Sequence, residues 1–355
     1  MSKYSVHTGN SQVFIIYAMY YHLYLSVLEA YRLRRTDPDR KLYLVITDYI
    51  PDPEQWKDKV AGLGLFNEIF IVNDLRANKE YSKSGNVIKR IFFRKKLLAN
   101  LFRNDLTSSL KKSLEHAEIN LFFDTAKFSN LLYMIFPDNY YRLYEDGERL
   151  YMQHKEDLRQ WIKYYILGYP LKYGRDLHIR EMLVQRPGDL PPKVRHKGTK
   201  LNLEELVQPL SDKIRLQIAG LFLDSGIFTR AGDSRKRLLL IPQPLSEDGY
   251  VSEEYKIEMY RRILREYGDG YQIWIKPHPR EKTCYADYFN AEILPGGFPL
   301  EILDLVSGFC FDRGITLFSS ALNNSLLVKE KIFLGIDWDQ TVATAYPFKT
   351  IRRPD

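Results

Sequence analysis

The feature that most constrains this chain is an alternation of short apolar runs with stretches of helical length, carried through the sequence twice. Strands that alternate with helical segments belong to βαβ units, and βαβ units build parallel sheets. In the first half the strand candidates are residues 13–17, 42–46, 68–72, 120–123 and 140–144. In the second half they are 237–241, 271–276, 291–294, 314–318 and 331–336, with helical stretches over 253–266, 300–306 and 320–328. Between the halves, from His154 to about Leu203, the pattern changes to helical pieces and a basic, proline-rich run over 186–196. That composition reads as a linker or long loop. The expected organisation is therefore one Rossmann-like domain over 1–155, a connection over 156–230 and a second Rossmann-like domain over 231–355.

A length of 355 residues suits two such domains. Residues 4–28 hold no Asp, Glu, Lys or Arg, which invites confusion with a signal peptide or membrane span. His7, Asn10, Gln12, His22 and several tyrosines interrupt that stretch, and no small-residue cleavage site follows. It reads as a buried first strand, a loop and then a helix. The two cysteines, Cys284 and Cys310, form neither a metal-ligand cluster nor a disulfide framework, so a reducing, cytoplasmic setting is expected. Net charge is +7, and much of it falls within 79–112, where apolar residues are interleaved with ten cations. One reading is a helix pair with a solvated face. The other is a docking face for anionic lipid or a charged acceptor, peripheral to a membrane. A nucleic-acid-binding protein is the alternative from another class, but no recognition module stands in that segment.

In parallel α/β sheets ligands sit beyond the carboxyl ends of the strands, so the loops there are the place to look for chemistry. After residues 271–276 come Pro277, His278, Pro279 and Arg280. Two prolines hold His278 on a stiff, non-helical loop, and Lys276 and Arg280 make that loop positive. A histidine so placed suits binding a phosphate and protonating it as it leaves. Ser319 and Ser320 stand where a strand runs into a helix, a setting for an anion. Glu301, after Pro299, could accept both hydroxyls of a ribose. Glu145, Asp146 and Gly147 follow an apolar strand, and a carboxylate there could take a proton from an acceptor hydroxyl. Glu247, Asp248 and Gly249 offer a second acid pair, which the sequence does not rank against the first. The Asp-x-Asp triplets at 37–39 and 337–339 match a metal-binding pattern only by chance.

Taken in order, Glu145-Asp146-Gly147, His278-Pro279 and Ser319-Ser320 resemble the bacterial sialyltransferases of glycosyltransferase family 52 and the related polysialyltransferases. The loop from Gln243, the run from Lys276 to Glu281 and Pro299 to Glu301 are similar too. Residues 20–23 after the first strand resemble the family's first loop. The resemblance implies a GT-B fold, with two Rossmann-like domains facing across a cleft. It implies a CMP-sialic acid donor, inversion at the anomeric carbon and no metal or other cofactor. The acceptor would be a glycan, galactose-terminated, of a lipooligosaccharide or capsule, with the first domain on the acceptor side and the second binding CMP. Glu145 or Asp146 would be the base, with Asp248 as rival, and His278 the acid. Gln243, Lys276, Pro279, Arg280, Glu301, Ser319 and Ser320 would hold the donor. Tyr21 and His22 would fall on the acceptor side. The rival within the same fold is a CDP-glycerol-type transferase of teichoic acids, which shares similar His-Pro and Ser-Ser loops.

Overall fold

The apolar runs become the centres of two separate parallel sheets. The computed structural model describes residues 11–17, 20–83, 92–152, 158–167, 169–223, 235–306, 310–319, 321–322 and 325–346. The chain divides into two units, Met1–Pro209 and Leu210–Asp355.

The first unit holds β1 (Ser11–Ile16), β2 (Lys41–Thr47), β3 (Glu68–Val72), β4 (Glu118–Leu121), β5 (Tyr140–Tyr144), β6 (Ile179–Val184) and β7 (Gly198–Lys200). They lie in the order β3-β2-β1-β4-β5-β6-β7, and every neighbouring pair is parallel. Val13 through Ile16 are fully buried, as expected of a strand covered on both faces, which is why the run is apolar without alternation. At the amino ends of the strands, Glu118 accepts from Gln12, Arg40 and Arg142, and Arg142 also pairs with Glu181. This charge network joins β1, β4, β5 and β6 at the edge opposite the candidate loops. The strand order reverses between β1 and β4, so the switch point lies between the loops that follow these two strands.

Two sequence expectations differ from this unit. Residues 156–230, expected as a connection, contribute β6 and β7 to the first sheet, and the division between units falls after Pro209. β6 carries Arg180 and Glu181 and is only half buried, so it lacks the apolar run that marks the central strands. Residues 20–23, expected as a loop, form the first turn of the helix Tyr20–Thr36.

The second unit holds β8 (Arg237–Ile241), β9 (Gln272–Ile275), β10 (Glu292–Ile293), β11 (Phe311–Thr316) and β12 (Val328–Phe333). The order is β10-β9-β8-β11-β12, again all parallel, with the switch point between β8 and β11. The helix Glu253–Tyr267 crosses from β8 to β9. Ser252 caps it by accepting the Tyr255 N–H, Glu253 and Glu254 occupy its first turn, and Arg265 its last. Its Met259, Tyr260 and Ile263 are buried in the core cluster of the sheet. The helix expected over 320–328 does not extend through 325–328. The Asp304 carboxylate accepts from the N–H groups of Leu326 and Leu327 and from the Ser325 hydroxyl, and this turn feeds directly into β12. Residues 300–305 form a 3-10 helix. Among the described residues no helix is long and apolar enough to cross a membrane.

Candidate functional site

Each unit gathers candidate residues at the carboxyl ends of its strands. In the first unit, β1 leads into the helix that carries His22. The His22 ring is buried and stacked on Phe122, which follows β4, with centroids 4.6 Å apart. Its Nδ1 accepts the backbone N–H of Tyr17 at 3.3 Å, so the ring proton resides on Nε2. Nε2 faces Asp146 Oδ1 at 3.1 Å. The switch-point loops thus hold an imidazole that orients the carboxylate delivered by the end of β5. Gly147, at φ 75°, lets the chain turn away immediately after Asp146.

The two acids of this pair have different surroundings. Glu145 is buried and accepts from the Gln185 N–H at 2.6 Å, the Tyr151 hydroxyl at 2.5 Å and the Gln185 side-chain amide at 3.4 Å. It clamps the ends of β5 and β6 together. The Asp146 side chain keeps 24% of its surface exposed and presents a carboxylate that a hydroxyl can reach. Tyr21 lies beside Tyr24, with ring centroids 6.4 Å apart.

In the second unit the loops after β8, β9 and β11 stand side by side. The Thr316 hydroxyl accepts the Ser319 N–H at 3.1 Å and donates to the Ile241 carbonyl at 2.9 Å, which ties the two switch-point loops. The Gln243 N–H is held by the Tyr260 hydroxyl. Ser320 lies outside the described residues. After β9, the His278 N–H donates to Glu281 at 2.7 Å, while its Nδ1 accepts the Arg280 N–H at 3.2 Å. Nε2 therefore carries the proton in the neutral ring. Burial, followed by the nearby charges of Arg280 and Lys276, pushes the His278 pKa down to about 4. Lys276, also buried, donates to the carbonyls of Pro277 and Gly296 and lies over the Phe298 ring. Burial lowers its pKa to about 8, against the opposing pull of Glu301 and Glu281. Lys276 thus joins the loop after β9 to the one after β10. Arg280 takes both oxygens of Asp248 in a forked pair. That pairing commits the rival carboxylate to a cation. Glu301 is buried at the start of its 3-10 helix. The two Asp-x-Asp triplets have structural work: Asp339 caps the helix Gln340–Ala345 and pairs with Arg262, and Asp37 lies 3.7 Å from Arg40.

An ion cluster that sequence reasoning missed supports the His278 loop. Lys256, on the helix Glu253–Tyr267, is fully buried. Its ammonium donates to both oxygens of Glu247, at 3.0 and 2.8 Å, and lies 3.6 Å from Glu281. Glu247 also accepts the Lys282 N–H, and Glu281 also accepts the Tyr285 hydroxyl. Burial raises both carboxyls. For Glu247 the Lys256 and Lys282 hydrogen bonds win, taking it down to about 2, whereas Glu281 stays raised. Lys256→Met should cost about 3–5 kcal/mol in urea denaturation, since it leaves buried carboxylates without their cation. A loss under about 1 kcal/mol would show that the cluster does not hold the loops. Two further buried carboxylates, Asp74 and Asp124, are pushed up to about 7 by burial and accept the N–H groups of Phe128 and Gly174.

Comparison with known proteins adds the following. The model of glycosyltransferase family 52 matches residues 104–334. An uncharacterized protein of Haemophilus influenzae is 35% identical over 187 residues, which span 50% of this chain and 57% of that protein. The chain thus matches little more than half the length of this relative. Two solved structures share the fold at low identity. The 2,6-sialyltransferase of Photobacterium sp. JT-ISH-224, solved with donor product CMP and acceptor substrate lactose, aligns at TM-score 0.57 and 12% identity, over 94% of this chain and 74% of that one. The GT-B domain of the Photobacterium damselae sialyltransferase aligns at TM-score 0.54 and 11% identity, over 91% and 90%. The likeness takes in both sheets, and the fold is GT-B.

Proposed function

The chain belongs to glycosyltransferase family 52, and on that premise we propose that it is an inverting sialyltransferase. The donor is CMP-sialic acid, and the acceptor is a terminal sugar, galactose above all, of a bacterial lipooligosaccharide or capsule. The observation that carries the reading is the loop after β9, where His278 is fixed between Lys276 and Arg280 with its Nε2–H unused by the backbone. That loop suits a leaving phosphate. The lactose and CMP of the Photobacterium enzyme support the choice of acceptor and nucleotide.

In the proposed reaction the acceptor hydroxyl gives its proton to Asp146. Its oxygen forms the new bond to the anomeric carbon on the face opposite the phosphate. The bond from that carbon to the phosphate oxygen breaks, and the electron pair leaves with CMP. His278 meets the charge growing on the phosphate, with Ser319 and Ser320 as further donors. Gln243, Pro279 and Arg280 border the nucleotide, and Glu301 takes the ribose hydroxyls. A departing monophosphate ester carries less charge than a diphosphate, so these groups suffice without a metal.

A donor panel tests this. With lactose as acceptor, CMP-sialic acid should turn over, CDP-glycerol and uridine or guanosine diphosphate sugars should not, and chelator should leave the rate unchanged. Turnover of CDP-glycerol in place of CMP-sialic acid would overturn the donor. Activity lost to chelator and restored by Mg²⁺ or Mn²⁺ would overturn the metal-free mechanism.

A further inference from the structure

The first unit shows water a large apolar ring at its switch point. Phe123 follows β4, in the loop that stands beside the one after β1. It keeps 39% of its surface exposed, whereas its neighbour Phe122 is buried on the His22 ring. Among the described residues of this unit, no other exposed large apolar side chain belongs to a switch-point loop. A single exposed ring on an ordinary surface needs no explanation. This one is fixed from below. The Ser129 hydroxyl donates to the Phe123 carbonyl at 2.9 Å, so the Tyr17 hydroxyl is the donor to Ser129 Oγ at 2.7 Å. The Tyr17 ring packs against that of Phe123, with centroids 5.9 Å apart and planes at 62°, and against that of Tyr49 at 6.4 Å and 64°. The Tyr17 N–H also fixes His22, and His22 orients Asp146. One tyrosine therefore braces both the exposed ring and the histidine that holds the carboxylate.

We propose that Phe123 is the platform on which the acceptor sugar lies, and that it selects galacto-configured over gluco-configured sugars. The inference rests on the acceptor reading given above and names the residue that enforces it. Ligand sites at switch points combine apolar or aromatic walls with a few polar groups that fix orientation. Phe123 supplies the wall. Asp146, with its His22 partner, supplies the polar group from the end of the neighbouring strand β5. The chemistry of the sugar decides the occupant. A pyranose carries hydroxyls around its rim and C–H groups on its faces. In a galactoside the axial 4-hydroxyl leaves the C–H groups of carbons 3, 4 and 5 together on one face. In a glucoside the C–H of carbon 4 turns to the opposite face, and the patch is broken. The negative face of an aromatic ring attracts such hydrogens, and the contact removes apolar surface of both partners from water. A sugar seated on its C–H face keeps its rim hydroxyls toward the surrounding loops, where Asp146 can take a proton from one of them.

The test reads acceptor and donor separately. Saturation-transfer NMR of lactose with the full chain needs no donor, and transfer should be strongest to protons 3, 4 and 5 of the galactose ring. Phe123→Ala should weaken lactose binding about tenfold and erase that pattern. Binding of cellobiose should change less, so the preference for lactose narrows. Phe123→Tyr, which keeps the ring, should restore both. In turnover, Phe123→Ala should raise the KM for lactose about tenfold while hydrolysis of CMP-sialic acid without acceptor stays unchanged. The thermal midpoint should move little, because the ring is partly exposed already. The proposal is overturned if the parent chain shows no transfer to these protons, or if Phe123→Ala binds lactose as the parent does. It is equally overturned if lactose and cellobiose lose alike, or if donor hydrolysis and thermal midpoint fall together with lactose affinity, since the ring would then be a structural prop. Failure of the donor reading shows elsewhere, as no hydrolysis of CMP-sialic acid by the parent chain, and the lactose pattern with its loss in Phe123→Ala still decides the platform.

Discussion

His278→Ala is expected to lower kcat by about 10²- to 10⁴-fold and to leave the protein folded. The loop does not need the imidazole to keep its shape. Prolines on either side fix their own φ, and the clasp to Glu281 is made by the His278 backbone N–H, which alanine retains. Only the Nδ1 acceptor for the Arg280 N–H is lost, at a partly exposed site where water can replace it. The protonation argument has a definite sign. Burial, then Arg280 and Lys276, hold His278 near pKa 4, so it is neutral in the unliganded protein at pH 7. A bound phosphate favours the imidazolium and raises that value. CMP binding should therefore take up a proton at pH values between about 4 and the raised pKa. Calorimetry in two buffers of different ionisation enthalpy should show this uptake, with the uptake of His278→Ala subtracted to remove the titration of CMP itself. The same depression acts on stability. As pH falls from about 6.5 to 4, unfolded chains protonate this histidine and folded ones do not, so stability is lost across that window. His278→Ala should flatten that slope. A folded His278→Ala enzyme with near-normal kcat would falsify the phosphate role.

The alternation of strands and helices was legible because strands covered on both faces read as unbroken apolar runs. The bounds read from sequence for β3, β5 and β8 are those observed. β6 and β7 escaped notice because strands toward a sheet edge are shorter or carry charges, and the adjacent proline-rich run suggested a linker. The site was legible as loops but not as contacts. His22 and Asp146 lie 124 positions apart, and only the strand order brings the loop after β1 beside the end of β5. Lys256 sits in a run of alternating charge and apolar residues where a lysine reads as solvated. Its burial depends on acids 9 positions before it and 25 after it, on two different loops. Glu145 and Asp146 are adjacent in the chain, so no sequence pattern distinguishes a clamp from a reactive carboxylate. The neighbouring strand β6, which supplies Gln185 just beyond its end, makes that distinction.

Asp146→Asn is therefore expected to reduce kcat by about 10²- to 10⁴-fold with CMP affinity nearly unchanged. Asparagine keeps the shape and can still accept the His22 Nε2–H through its amide oxygen, so the fold of the β5 loop should survive. What it removes is the ability to take a proton. Glu145→Gln should behave differently. Its carboxylate already receives the Gln185 N–H and the Tyr151 hydroxyl, so neutralising it weakens charge-assisted bonds and should show as lower stability with turnover largely kept. Asp248→Asn releases Arg280 from its forked partner, and the added positive charge beside His278 should shift CMP affinity more than the chemical step. Single-turnover rates and CMP calorimetry on the three variants separate these outcomes. If Asp248→Asn alone abolishes the chemical step while Glu145→Gln and Asp146→Asn remain active, the base belongs to the second unit and the role of the His22–Asp146 pair fails. If Asp146→Asn alone does so, the proton leaves the acceptor toward the carboxylate that Tyr17, His22 and Phe122 hold in place.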